Sequence, residues 1–452
     1  MKSKSTMPMF VLLVASMLLM LAASAAALND RVYLGVSPRA VLAVDLNGDG
    51  DMDIVCSNRY NSSISVLRNT GDGTFAPPQE YPVGGQPYSL CTGDFDGDGY
   101  PDIAVANFDD NDISVRRGNG DNTLGDRYDY PSGGSQPLAI CAADFDGDLD
   151  IDLAVVNWGD TTLTILSNVG LAAFTVTFTT GSIGALAGSI CSGDFDADGH
   201  VDIAVSNFEE DSIAVLINNG DGTMAPAVDF AAGDGPHSVC AADLDGDGKL
   251  DLVVANRDSD NVSFLKNNGS AVFAAPYNYA VQEGPHWVSA ADLDNDSDLD
   301  LVTADYTASL VSVLWNEGAP SFQAGPTAYA GHRPVSIAAA DLDNDGYRDL
   351  AVSSVTWMSI VTLRNNGDRT FGPVVLPPDD CCLPPNIGDV NQDGSCDVSD
   401  LSVMIDNQFL SLRPLLCDVE ADLNFSGDLD ITDIAIMVDY QFIGLHAMPP
   451  CP

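Results

Sequence analysis

Seven times along this 452-residue chain, carboxylates crowd into nine residues at a fixed spacing. The second copy, DFDGDGYPD from Asp94, carries Asp94, Asp96, Asp98 and Asp102, and the apolar run IAVAN follows at once. Two carboxylates about 4 Å apart repel by roughly 1 kcal/mol in water and about 4 kcal/mol at an effective dielectric near 20. Four of them hold together beside a segment that must be buried only if a cation sits among them.

The elements that position these clusters repeat with them. Copies begin at Asp45, Asp94, Asp144, Asp194, Asp243, Asp292 and Asp341, so successive starts are 49 or 50 residues apart. A constant period of this size marks a repeat architecture. Each unit reads as four short strands: a small and apolar run before the cluster (YSLCTG, HSVCAA), a β-type run after it (LAVVN, IAVSN), a third run (LTILSN, IAVLINN), then a turn such as NNGDGTM and a more polar segment. These runs are rich in Val, Ile, Leu and Thr, are bounded by Gly, Asn and Asp, and show no helical period. Four antiparallel strands repeated radially make a β-propeller. The expected fold is therefore mainly β, a seven-bladed propeller of four-stranded blades. LNDRVYLGV near the N-terminus matches the fourth-strand segments and is expected to complete the last blade, with GPVVLPP near residue 375 as the alternative filler.

The unit resembles the FG-GAP or VCBS repeat of integrin-α-like propellers, on the strength of the D-x-D-x-D-G-x-x-D loop, the NGDGTF-type turn and the Gly/Pro stretch before each inner strand. In such a loop, side-chain oxygens at positions 1, 3, 5 and 9 converge on a hard cation, helped by a backbone carbonyl at position 7. Calcium, which takes six to eight oxygens in irregular geometry, suits this better than magnesium. The implied ligands are Asp45, Asn47, Asp49 and Asp53; Asp94, Asp96, Asp98 and Asp102; Asp144, Asp146, Asp148 and Asp152; Asp194, Asp196, Asp198 and Asp202; Asp243, Asp245, Asp247 and Asp251; Asp292, Asp294, Asp296 and Asp300; and Asp341, Asp343, Asp345 and Asp349. About seven calcium ions are expected in the propeller. Position 6 calls for Gly, to supply a left-handed turn. Leu149 and Ser297 stand there in the third and sixth loops, which are expected to bind most weakly.

The flanks differ in kind. Lys2 and Lys4 precede the run MFVLLVASMLLMLAA, which ends in SAAA. This is the layout of a signal peptide over residues 1–27, and it predicts a secreted, extracellular protein. The repeat unit spans 28–378, and a Pro- and Cys-rich linker occupies 379–387. Beyond it, residues 388–452 hold two twelve-residue loops, each followed by apolar residues at helical spacing (Leu401, Met404, Ile405; Ile434, Met437, Val438). The pair resembles a type I dockerin, a small α-helical calcium-binding module. That resemblance implies two more calcium ions, held by Asp389, Asn391, Asp393, Asp397 and Asp400, and by Asp422, Asn424, Ser426, Asp430 and Asp433. It also implies docking onto a cohesin-like extracellular partner through Val398, Ser399, Ile431 and Thr432. Packing of this module on the propeller itself is the other possibility.

The chain carries 66 acidic residues against 17 Lys plus Arg. This excludes nucleic acid, which needs clustered basic residues. No catalytic triad, phosphate loop or unassigned carboxylate pair stands out, and no enzyme activity is expected. Cys91, Cys141, Cys191 and Cys240 occupy equivalent places in neighbouring repeats and are expected to be free core thiols, since a bridge needs Cα atoms within about 7 Å. The second strand of each blade runs away from the acidic loop, so its far end and the start of the inner strand share the opposite face. That face is expected to gather Arg39, Arg59, Tyr88, Phe108, Trp158, Phe208, His237, Arg257, His286 and Tyr306 around the channel mouth, a chemistry suited to a glycan or surface ligand. A non-catalytic recognition protein is the expected function. The alternative is a subunit of an extracellular polysaccharide-degrading complex with glycoside hydrolase activity.

Overall fold

The computed structural model describes residues 31–34, 37–184 and 186–372. Among them are 28 strands, in seven sheets of four, and no helix. The inner strands are Pro38–Val44, Pro87–Gly93, Pro137–Ala143, Ala187–Gly193, Pro236–Ala242, Pro285–Ala291 and Pro334–Ala340. Each continues through an acidic loop into a second strand: Asp53–Asn58, Asp102–Asn107, Asp152–Asn157, Asp202–Asn207, Asp251–Asn256, Asp300–Asp305 and Asp349–Ser354. All residues of these second strands are buried, which is why they read as unbroken apolar runs and not as alternation. Fourth strands such as Val228–Ala231 are mostly exposed, as the outer edge of a blade must be.

The core lies between blades. Ala104, Ala106, Ile113 and Val115 of the second blade pack with Ile140, Leu153, Val155 and Leu166 of the third. Each Val, Leu or Ile among them contributes about 1.5–3 kcal/mol when fully buried, and a blade alone has nothing to bury it against. The same packing joins first to last: Val41, Ile54, Cys56 and Leu67 meet Ala340, Leu342, Ala351 and Ile360. An open stack would leave these two faces in water.

Closure is also made by hydrogen bonding. Arg31–Tyr33 pairs antiparallel with Ser359–Leu363, in the register Val32 to Ile360, and becomes the fourth strand of the seventh blade. The N-terminal segment therefore completes the ring. The alternative filler lies, from residue 373, outside the described residues. So do the signal-peptide region and the whole C-terminal module, including the ligand set from Asp389 to Asp433 and the docking positions Val398, Ser399, Ile431 and Thr432. The five cysteines within the described residues, Cys56, Cys91, Cys141, Cys191 and Cys240, are free.

Candidate functional site

The acidic loop folds over its first carboxylate. In the second blade the N–H groups of Gly97, Asp98 and Gly99 donate to Asp94 at 2.8, 3.0 and 2.9 Å. Such tight winding needs left-handed backbone, and it needs it twice. Position 6 is left-handed in every loop, but so is position 4, from Gly48 at φ 75° to Asn344 at φ 61°. Sequence reasoning identified only the former. Leu149 and Ser297 take φ of 78° and 79°, and the Leu149 N–H still reaches Asp144 at 3.0 Å. The loop thus keeps its shape at roughly 1–2 kcal/mol of backbone strain. Ala197, at position 4 of the fourth loop with φ 65°, carries similar strain, so strain is not confined to the third and sixth blades.

Position 9 opens the second strand and is buried. Asp102 accepts the Phe95 N–H at 2.9 Å through Oδ2 and the Gly118 N–H at 2.8 Å through Oδ1. The same two bonds recur at Asp53, Asp152, Asp202, Asp251, Asp300 and Asp349. Burial pushes Asp102 up to about 6, and the carboxylates of Asp96 and Asp98 add to the rise; Asp349 is pushed up to about 7.

Positions 1, 3 and 9 converge. Their oxygens lie within 4.8 Å of one another in Asp94, Asp96 and Asp102, and likewise in the sets starting at Asp144, Asp194, Asp243 and Asp292. The position-5 carboxylates, Asp49, Asp98, Asp148, Asp198, Asp247, Asp296 and Asp345, are exposed instead. They accept the N–H of position 7, as Asp98 does from Tyr100 at 2.9 Å. Asp146 Oδ1, Asp292 Oδ1 and Asp343 Oδ1 are buried without a hydrogen-bond partner. An all-oxygen donor set with orphaned buried oxygens fits a hard divalent cation. Basic side chains reach position 3 in four loops, through Arg117–Asp96 at 3.3 Å, Arg364–Asp343 at 3.0 Å, Arg369–Asp294 at 2.6 Å, and Lys266–Asp245. One such charge cannot balance four carboxylates.

A further set of residues holds the loops in place. Asn218 donates through Nδ2 to Phe145 O of the preceding blade at 2.8 Å and to Val201 O of its own at 3.0 Å. Asn69, Asn168, Asn267, Asn316 and Asn365 do the same, and Asn69 reaches back to Leu342 O across the ring closure. Each bonds the residue at loop position 2. The recurring Asn two residues before a turn glycine was the signal available in the sequence. The second blade has Gly118 there, where a Cβ would meet Pro101 O at 2.3 Å.

At the other end of the same hairpins, residues eight before each loop (Ser37, Gln86, Gln136, Leu186, Gly235, Gly284, Arg333) are left-handed. Their carbonyls accept the N–H groups of Arg59, Phe108, Trp158, Phe208, Arg257, Tyr306 and Val355. A β-bulge follows, with register shifts between Pro87 and Ser89 and between Pro236 and Ser238, so that Tyr88 and His237 are the extra residues. Bulges re-aim side chains, and here they line a cavity of about 470 Å³. Of the ten expected face residues, Arg39, Tyr88, His237, Arg257, His286 and Tyr306 line it, together with Trp287, which the sequence did not single out. Arg59, Phe108, Trp158 and Phe208 stand behind them. Phe108 packs on Tyr88 with ring centres 5.0 Å apart, Trp158 on Phe108 at 5.8 Å, Phe208 on His237 at 6.4 Å, and the Arg59 guanidinium lies 4.6 Å from the Tyr88 ring centre. Burial, then the charges of Arg39 and Arg257, press His237 down to about 3; burial and His237 hold His286 well below its usual value. Both rings are neutral hydrogen-bonding groups at neutral pH.

A model of the FG-GAP-like repeat matches residues 45–105, 94–155, 144–205, 194–254, 243–303 and 295–352. The chain belongs to the FG-GAP-like repeat family. No curated protein matches it. Among solved structures, the FG-GAP propeller is similar to BBS1N, solved in complex with ARL6DN, at 14% identity and a TM-score of 0.53, over 74% of this chain and 96% of that one. A streptogramin B lyase matches at 15% identity and a TM-score of 0.52, over 74% and 97% of the two chains. Virginiamycin B lyase from Staphylococcus aureus matches at 13% identity and 0.51, with the same coverage. At these identities the likeness is one of fold. No helix among the described residues is long and apolar enough to cross a membrane.

Proposed function

We propose that this FG-GAP propeller is an exported, non-catalytic recognition protein, stabilised by calcium in its loops and binding a glycan or protein ligand at its channel mouth. The observation that carries the proposal is the cavity at the bulged ends of the inner strands, where aromatic faces, guanidinium groups and neutral imidazoles meet. The loops supply rigidity at the opposite end. In each, positions 1, 3 and 9 would hold the ion, whose charge offsets their mutual repulsion. Export rests on the N-terminal pattern of basic, apolar and small residues. Assembly with a cohesin-like partner rests on the doubled loops from Asp389 to Asp433.

A glycan and protein array probed with the full chain tests the recognition function. Trp158→Ala combined with Phe208→Ala removes the rings that back Phe108 and His237, and is expected to weaken array binding while the melting temperature stays near that of the parent. Unchanged binding by the intact double variant refutes the placement of the site. Steady release of reducing ends from a polysaccharide, lost on a single substitution, favours the hydrolase alternative.

A further inference from the structure

We infer that the channel mouth takes an acidic sugar, the terminal residue of a glycan bearing a carboxylate, with Arg39 and Arg257 reading the charge. This rests on the recognition function proposed for the same mouth.

The chain has a formal net charge of −49, yet no Asp or Glu is among the described residues that line the cavity. Two arginines are. Arg39 is half-buried in its wall; burial lowers its affinity for a proton, Tyr88 offsets part of this and Arg59 lowers it further, although a guanidinium stays charged. Its Nε is buried and has no hydrogen-bond partner. The Arg39 guanidinium lies 4.9 Å from the Tyr88 ring centre, and that of Arg257 lies 5.9 and 6.0 Å from the rings of Phe208 and Tyr306. Neither Arg39 nor Arg257 is in an ion pair with a described residue, unlike Arg117, Arg127, Lys249, Lys266, Arg364 and Arg369. A buried cation without a counter-charge is costly, and a planar guanidinium matches a carboxylate in geometry as well as charge.

The rest of the lining suits a polyol. His237 and His286 lie with ring centres 3.5 Å apart and planes tilted by 39°; His286 Nδ1 is 3.1 Å from Val335 O, and His237 Nδ1 is buried without a partner. Neutral imidazoles of this kind can meet hydroxyl groups in either sense. Tyr88 and Tyr306 add aromatic faces on which a sugar ring can lie. The volume of about 470 Å³ falls low in the usual range of about 300–1,000 Å³ for small-ligand pockets, which suits a chain end and not an internal segment. The overall negative charge repels long polyanions, but the field of exposed carboxylates fades over about 8 Å at physiological salt. A single carboxylate entering the mouth therefore meets the arginines.

Isothermal titration of the calcium-loaded full chain with glucuronate, galacturonate, glucose and acetate tests this. At least one uronate is expected to bind saturably, with glucose and acetate each weaker by about tenfold or more. Arg39→Gln is expected to weaken that uronate by about tenfold or more with the melting temperature retained, and Arg257→Gln answers the same question if the first variant does not fold. Equal affinity for uronate and glucose, or unchanged affinity in the folded variants, overturns the inference. Acetate binding as tightly as a uronate overturns the sugar assignment. If neutral glycans bind and Trp158→Ala with Phe208→Ala abolishes that binding, the recognition function stands and the acidic sugar falls. If neither uronate binds and the array is blank, both fall.

Discussion

Asp305→Asn tests how this propeller handles a buried carboxylate that no ion can serve. Five blades end the second strand in Asn, and in four of them Nδ2 donates to a hydroxyl on the third strand, as Asn107 does to Ser114 at 2.7 Å and Asn256 to Ser263 at 2.8 Å; Asn207 donates to Ile183 O instead. The sixth blade has Asp305, fully buried, accepting from Ser312 at 2.5 Å and Thr303 at 2.7 Å. Burial raises its pKa from 3.8 to about 7 despite both bonds. At 1.36 kcal/mol per pH unit, that rise corresponds to a penalty of about 4 kcal/mol on the ionised form. Between the two pKa values the folded chain holds a proton that the unfolded chain has released, so stability falls as pH rises from about 4 to about 7 and is level above that. Asparagine removes the charge, and the Ser312 hydroxyl can turn to accept from it. Urea denaturation at pH 8 is expected to show stabilisation approaching about 4 kcal/mol, and at pH 5 less by about 2–3 kcal/mol. An effect of equal size at both pH values, or a loss of stability at both, refutes the idea that Asp305 carries the penalty.

Three further outcomes follow from the loops. Removal of calcium with a chelator is expected to lower the melting temperature by tens of degrees, because several mutually repelling carboxylates act at once, each pair at roughly 1–4 kcal/mol; an unchanged midpoint by calorimetry contradicts calcium stabilisation. Leu149→Gly relieves the left-handed strain at φ 78° and is expected to raise stability by up to about 1 kcal/mol, after the greater unfolded-state freedom of Gly is offset, as read from the urea midpoint. Asn218→Ala removes the donor to Phe145 O and Val201 O and is expected to cost about 1–3 kcal/mol, whereas a surface control such as Asn219→Ala is expected to cost much less.

The seven blades, their four strands and the acidic loops were legible because each is written locally, in runs of β-forming residues and in carboxylates a few positions apart. Closure by the N-terminal strand was legible too, since LNDRVYLGV repeats the composition of the other fourth strands. The Asn staples were not, although they recur as plainly. Asn218 bonds a carbonyl 73 residues away, and nothing in local sequence says that the residue before a turn faces the previous blade. Position 4 of the loop escaped for a different reason. Gly48, Gly97, Gly147 and Gly246 mark it in four copies, but Ala197, Asn295 and Asn344 hide it in the others, and only backbone angles show that all seven are left-handed. The C-terminal docking positions were read from spacing alone and lie outside the described residues.

Seven copies on one backbone serve as an internal comparison between the two ends of each hairpin. At the loop end, positions 1 and 9 are Asp in all seven, and each position-9 carboxylate accepts the same two N–H bonds. Identity there is what a repeated structural task demands. At the mouth end the backbone is equally regular, with a left-handed residue and a bulge in every blade, but the side chains presented are Arg39, Tyr88, Leu138, Gly188, His237, His286 and Val335. Packing alone would favour one residue that fits every gap. Seven equivalent positions holding six residue types instead make the channel mouth asymmetric, with Arg39 close enough to His237 and His286 to depress both imidazoles. A ligand without symmetry can be oriented only by a surface without it, so under the proposed recognition function the regular backbone carries the fold while the irregular side chains at this end would carry the selectivity.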